Sequence, residues 1–185
     1  YLSAPRHAWT LVVGGVLVGL GIYEHPTSAA LTIPLLAAAL VRWGAPARAV
    51  VFLRAYAAEA APGPSASLYE HAVHIAETHL GDPKAALDLA REGLDRAPGS
   101  PALLVAFERA ALVTADVQAA VDTYATLREK ALGDHGRRGI RYREARWLER
   151  AGQAQSALDA YVACFRLSPS DGVVFQAIER LSASL

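Results

Sequence analysis

The chain has 185 residues, 18 basic against 18 acidic side chains, and a formal net charge of zero. That length carries one well-cored domain, and no global positive field marks the chain as a nucleic-acid binder. Alanine and leucine dominate with little alternation of β-branched residues, which excludes a sheet protein and points to an all-α fold. The single Cys164 excludes an intramolecular disulfide and stands where a small buried side chain is wanted. The chain opens on Tyr1 and contains no Met, as expected of a processed product or part of a longer one.

In chain order, a short polar lead ending in Arg6-His7 precedes an uncharged apolar run, Trp9 to Tyr23. Glu24 to Ser28 is a polar turn, and a second apolar run follows from Ala29 to Val41, closed by Arg42-Trp43-Gly44. Residues 1–43 therefore read as an apolar helical hairpin, and two placements compete for it. As a membrane anchor, residues 9–43 would use their all-round apolar first run, the glycines at 14, 15, 19 and 21 for close helix approach, and Trp9, Tyr23 and Trp43 as interfacial residues. Pro34 inside the second run fits a membrane helix better than a surface one. Against this, each run is shorter than the roughly 20 residues a span needs. In the alternative the two runs are buried helices of the array that follows. If the hairpin spans, the arginines at 6, 42, 48 and 54 place both its ends and everything after it on the cytoplasmic side of a bacterial-type inner membrane. The alternative placement is cytoplasmic.

From Gly44 onward the chain repeats itself. Gly44, Gly81, Ala115 and Gly152 open copies 37, 34 and 37 residues apart. The clearest copy runs from Gly81-Asp82-Pro83 to Pro98. Asp82 is a good helix N-cap, Pro83 sits at the first helical position where its missing N–H costs nothing, and Ala85, Ala86, Leu89, Ala90, Gly93 and Leu94 form one small-residue stripe. Five residues after each start stands an alanine: Ala49, Ala86, Ala120, Ala157. Further on come Leu53, Ala90, Tyr124 and Tyr161, then Tyr56, Gly93, Leu127 and Cys164. Pro62, Pro98 and Pro169 close three copies, and Gly133 the other.

First helices are expected over 67–80, over 100–114 with Ser100 as cap, and over 137–151. Second helices are expected over 44–61, 116–131 and 153–167. Pro62 to Ser65 reads as a rigid turn, and Gly133 to Gly136 as the loosest loop. Ser170-Asp171 opens a final helix to about Ser182, with Gln176, Glu179 and Arg180 on its polar face, suited to cap an array. A fixed period with two helices per unit marks a helical-hairpin solenoid.

Residues 44–185 resemble the tetratricopeptide repeat (TPR) family. The marks are the inter-helix glycine, the early alanine of the second helix, an aromatic four residues on, a small residue three further and a closing proline. Gly152, Ala157, Tyr161, Cys164 and Pro169 carry all of them, whereas the third copy lacks the Gly and the Pro. The family's usual Trp and Gly are not evident in the first helices. The resemblance implies a right-handed superhelix of helix pairs that binds a protein or peptide along a concave groove.

Candidate chemistry is sparse. No phosphate loop, nucleophile motif or paired cysteine is present, so neither an enzyme nor a cofactor is expected. Glu70, His74 and Glu77 share a helix face, but facing helices offer no matching histidine, so no metal is expected. The strongest cluster is Arg137, Arg138, Arg141, Arg143, Arg146 and Arg150, against Glu144 and Glu149, with Tyr142 and Trp147 interleaved. In the family's pattern the groove-facing positions lie ten, nine, six and two residues before the inter-helix glycine. They fall on Tyr142, Arg143, Arg146 and Arg150, and in the preceding copy on Val105, Ala106, Arg109 and Val113. Tyr142, Arg143, Arg146, Arg150 and Arg109 are thus the candidate partner-binding residues, and an acidic strip or a carboxyl terminus the expected ligand. The family's carboxylate-binding members use Lys and Asn at such positions, a set not found here. The competing reading is a solvated face of local Arg–Glu pairs. Nucleic acid is not expected, because the charge is confined to one helix. The function expected is a membrane-anchored interaction scaffold, or alternatively a soluble adaptor or assembly subunit whose N-terminal helices are buried.

Overall fold

The computed structural model of the chain describes residues 26–130 and 133–185, with side chains from Ile33 onward. The apolar run 9–23 lies outside the described residues. Among them there are only helices: α1 (Pro26–Arg42), α2 (Pro46–Glu59), α3 (Pro62–Ile75, running on through a π-helical turn Ala76–Leu80), α4 (Pro83–Arg96), α5 (Pro101–Thr114), α6 (Val117–Lys130), α7 (Gly133–Arg150), α8 (Ala154–Leu167) and α9 (Gly172–Ser184). Consecutive helices pack in hairpins, and first helices also touch first helices (α1 on α3, α3 on α5), which makes a helical-hairpin solenoid.

Each hairpin is set by its turn. Gly44, Gly81, Ala115 and Gly152, the four repeat starts, have φ of +75°, +61°, +54° and +72°. A residue in this left-handed conformation ends a helix and turns the chain back. The N–H of the next residue then reaches into the helix just finished: Ala45 to the Leu40 carbonyl (2.9 Å), Asp116 to Ala111 (3.2 Å) and Gln153 to Leu148 (2.9 Å). Asp82 reaches one residue further, to Ala76 (3.0 Å), because the π turn holds an extra residue. Three helices start on side-chain caps: Asp82 of α4 accepts from the Ala85 N–H at 2.9 Å, Ser100 of α5 from Leu103 at 3.4 Å, and Asp116 of α6 from Ala119 at 3.0 Å, whereas α2 and α8 have no side-chain cap.

The turns fix which stripe faces inward. Ala49, Ala86, Ala120 and Ala157 are each fully buried where helices meet, and Leu53, Ala90, Tyr124 and Tyr161 form the next buried level. Gly93 marks the closest approach. A Cβ there would lie 2.8 Å from Leu103 Cδ1 and 2.9 Å from Tyr69 Cβ, so no larger residue fits between α3, α4 and α5. Cys164 is buried in the same core, its Sγ 3.7 Å from the Arg138 carbonyl, and burial pushes its thiol pKa up.

Three elements differ from expectation. Pro62 to Ser65 is the first turn of α3, not a separate turn, since proline is tolerated there. Ser65 is fully buried and donates to the Ala57 carbonyl at 2.8 Å, which ties α3 to α2. The expected loop at Gly133 to Gly136 is the start of α7. Asp134 in that first turn suits the helix dipole and stands 4.0 Å from Arg137. The third difference is the hairpin. Its second run forms α1, whose Ile33 and Ala37 are buried in the solenoid core beside α2. Among the described residues no helix is long and apolar enough to cross a membrane. The apolar surface read as lipid-facing is here used in hairpin packing, which favours the alternative placement for this run.

Two substitutions probe this architecture. Ala115→Gly should stabilise the chain by about 0.5–1 kcal/mol, the left-handed strain removed less the extra freedom of glycine in the unfolded state. Ala157→Leu should destabilise it by about 1–3 kcal/mol through overpacking. Urea unfolding midpoints read both, and an Ala157→Leu midpoint equal to wild type would contradict the packing register.

Candidate partner-binding site

The arginines of α7 sort themselves by partner. Arg137 stands near Asp134, Arg138 pairs with Asp171 of α9, and Arg141 lies 3.8 Å from Glu144. Glu144 is buried and takes Arg128 of α6 at 2.7 Å. Arg143 reaches α5, where Glu108 accepts from it at 2.8 Å. Among the described residues no carboxylate lies within ion-pair distance of Arg146 or Arg150. Each instead lies over a ring of its own helix: Arg146 is 6.0 Å from the Tyr142 centroid, Arg150 5.4 Å from that of Trp147.

Arg143 and Arg109 belong to a ladder between neighbouring first helices. Arg109 grips Glu77 of α3 through two bonds (3.0 and 2.7 Å), Arg143 takes Glu108, and Arg180 of α9 takes Glu149 of α7 through two bonds. Second helices are tied likewise, Arg54 to Glu92 and Lys130 to Asp95. Tyrosines back two of the first-helix rungs. Tyr124 donates to Glu108 at 2.8 Å and Tyr161 to Glu149 at 3.3 Å. Burial, then the adjacent Glu149 charge, push Tyr161 up to about 12, and burial with Glu108 raises Tyr124 further. The hydrogen bonds from Arg180 hold Glu149 below its usual range.

Arg146 and Arg150 line a cleft of about 610 Å³ between α7, α8 and α9. Tyr142, Tyr161, Gln176 and Ala177 form its walls, with Glu149 and Arg180 across it. Tyr142 meets Tyr161 edge-on, centroids 6.0 Å apart. The other flank of the same two arginines faces α5, where Glu108, Leu112 and Trp147 complete a narrow cleft. Of the five residues the sequence singles out, Tyr142, Arg146 and Arg150 thus meet at one cleft. Arg143 and Arg109 point to rungs on either side of α5. The sequence pattern puts Tyr161 at a repeat position and Gln176 and Arg180 on the polar face of the final helix, which reads as a cap on the array and not as a wall of a site. The rungs had a usable signal. Their partners stand 32, 35 and 31 residues apart, close to the repeat period.

The Glu70, His74, Glu77 face is otherwise engaged. Ser100 donates to Glu70 at 3.2 Å, and Glu77 holds Arg109. Among the described residues no three ligating side chains are placed to hold a metal ion.

No family model and no curated protein matches the chain. Solved structures do. A MamA RS-1 double mutant superposes with a TM-score of 0.50 at 15% identity, covering 84% of this chain and 84% of that one. MamA AMB-1 gives a TM-score of 0.50 at 16% identity, covering 84% and 81%. MamA is a TPR-like protein, and a likeness at this identity shows the fold alone. This chain has a TPR-like fold.

The last helix is tied to α7 by Arg180–Glu149 and by Arg138–Asp171, and Asp171 also caps it, accepting from the Val173 and Val174 N–H groups at 3.1 and 3.3 Å. The hydrogen bond from Arg138 holds Asp171 below its usual range, as that from Arg180 does Glu149. Groups with lowered folded pKa values contribute fully above about pH 5 and lose that contribution as the pH falls through those values. Amide resonances of residues 172–184 should therefore leave their native positions below about pH 4, before those of α3 and α4. Simultaneous loss of all helices in an NMR acid titration would contradict this.

Proposed function

We propose that the chain is a protein-interaction scaffold that holds a peptide segment of a partner on its first-helix face, with no catalytic step. Arg146 and Arg150 take acidic groups of that segment, Tyr142 supplies a flat wall, and Arg109 and Arg143 keep the neighbouring repeats in register beneath it. The observation that carries this reading is the distribution of charge. Four of the six α7 arginines have a carboxylate of the chain within 4.0 Å, and the two that do not, Arg146 and Arg150, line the cleft of about 610 Å³ between α7, α8 and α9. Arginine suits paired contact with carboxylates. The TPR-like fold supports a protein or peptide as the ligand class. The burial of α1 against α2 supports the form in which the N-terminal helices belong to the array over one in which residues 9–43 form an anchor.

The test is fluorescence anisotropy with a labelled twelve-residue peptide of glutamates and aspartates. Arg146→Ala should weaken its binding by about 1–3 kcal/mol at low salt, since a charge-assisted pair is lost. The difference should shrink as salt rises. The melting temperature should barely move, because Arg146 is exposed. Equal affinities at low salt would mean the arginines are only a solvated face.

A further inference from the structure

The groove face is not chemically uniform. At its other end, α1 and α3 enclose a second cleft of about 410 Å³, walled by Pro34, Ala38, Val41 and Ile75. His71, His74, His79 and Arg42 stand around it. The π turn Ala76–Leu80 contributes here: its wider turn brings His79 onto the face of His74. Between the two clefts lies α5, which exposes Val105, Leu112 and Val113 on the side that carries Arg109. Those three side chains are 52%, 51% and 66% exposed, and Arg109 beside them is already paired with Glu77. The unpaired positive charge of α7 begins only at the next first helix. From α1 to α9 the face therefore runs apolar, apolar, basic.

From this gradient, and resting on the scaffold reading above, we infer that the partner segment has two parts. An acidic cluster sits between α7 and α9, and an apolar cluster sits on α5 and in the α1/α3 cleft. Their spacing follows from the array. Neighbouring helix axes stand about 10 Å apart, so three steps separate the centre of the α1/α3 cleft from that of the α7/α9 cleft. That distance, about 30 Å, is spanned by about nine extended residues at ~3.3 Å each. Charge complementarity fixes which end is which: Arg146 and Arg150, with no carboxylate within ion-pair distance among the described residues, line the cleft at the α9 end, where Glu149 is already taken by Arg180, while the α1/α3 cleft has Arg42 as its one arginine.

The test is selection of a phage-displayed library of random sixteen-residue peptides on the full 185-residue chain, read by sequencing. Enriched peptides should carry Asp or Glu at one end and Leu, Ile, Val or Phe from about five residues away, over α5, to about nine, in the α1/α3 cleft, in one constant order. Selection on the Arg146→Ala/Arg150→Ala variant should lose the acidic cluster and keep the apolar one. Selection on Ala38→Glu/Val113→Asp, both at exposed positions, should lose the apolar cluster and keep the acidic one. Circular dichroism melts confirm that the variants are folded. Acidic peptides without a placed apolar cluster would overturn this inference and leave the scaffold reading standing. An acidic cluster that survives Arg146→Ala/Arg150→Ala would overturn the scaffold reading itself. No enrichment at all, or an apolar cluster at no fixed distance, would overturn the two-part segment.

Discussion

The phase of the array hangs on one backbone conformation, the left-handed residue that stands at four first-to-second-helix turns among the described residues. At Gly44, Gly81, Ala115 and Gly152 the chain turns left-handed between a first and a second helix. A helix cannot continue through such a residue, and the hydrogen bond that closes over it fixes the direction of the next one. Because the second helix leaves at a set angle, the alanine five residues on lands at the helix–helix contact, and the residue four further on (Leu53, Ala90, Tyr124 or Tyr161) lands in the core. Small residues at the contact let the axes come close, and at Gly93 the approach is so close that even a methyl group is excluded. The third turn keeps the geometry without glycine, at the strain that φ of +54° imposes on Ala115.

Once the hairpins are set, the surface charges fall into two populations. One is spent on the molecule itself, in rungs that join first helix to first helix and second helix to second helix. A single exposed rung contributes little. Backed by a buried tyrosine hydroxyl, as Glu108 and Glu149 are, a rung also orients its carboxylate. The other is left without such a partner, and Arg146 and Arg150 belong to it on α7. A net charge of zero thus hides a local surplus whose position is decided by which acids stand one repeat away.

The phase of the array was legible in the sequence because it is carried by residue types with one structural use: glycine for the turn, Asp-Pro and Ser-Pro for the helix start, alanine for the close contact. What was not legible depends on what lies across the gap. Gly133 to Gly136 has a loop's composition, yet α7 begins there. Ala29 to Val41 is apolar enough to suggest lipid, yet its Ile33 and Ala37 meet α2. For the site, the face of Arg109, Arg143 and Arg146 could be counted from the turn, but whether each would be free could not. That is a property of pairs thirty-odd residues apart, visible only when the repeats are laid over one another. The walls contributed by α9 were missed for a related reason, since a terminal helix is read for what it covers and not for the cleft its edge completes.

The first-helix rungs also give the array a mechanical character. Between α3 and α9 they are three ionic struts lying along one side of a stack whose core contacts are apolar and short-ranged. Apolar contacts set the spacing at which neighbouring hairpins rest, whereas the struts resist their splaying apart on the groove side. Dissolved ions weaken the second force and leave the first nearly untouched. The stack therefore behaves as a coil spring whose bending stiffness follows ionic strength while its rest length does not.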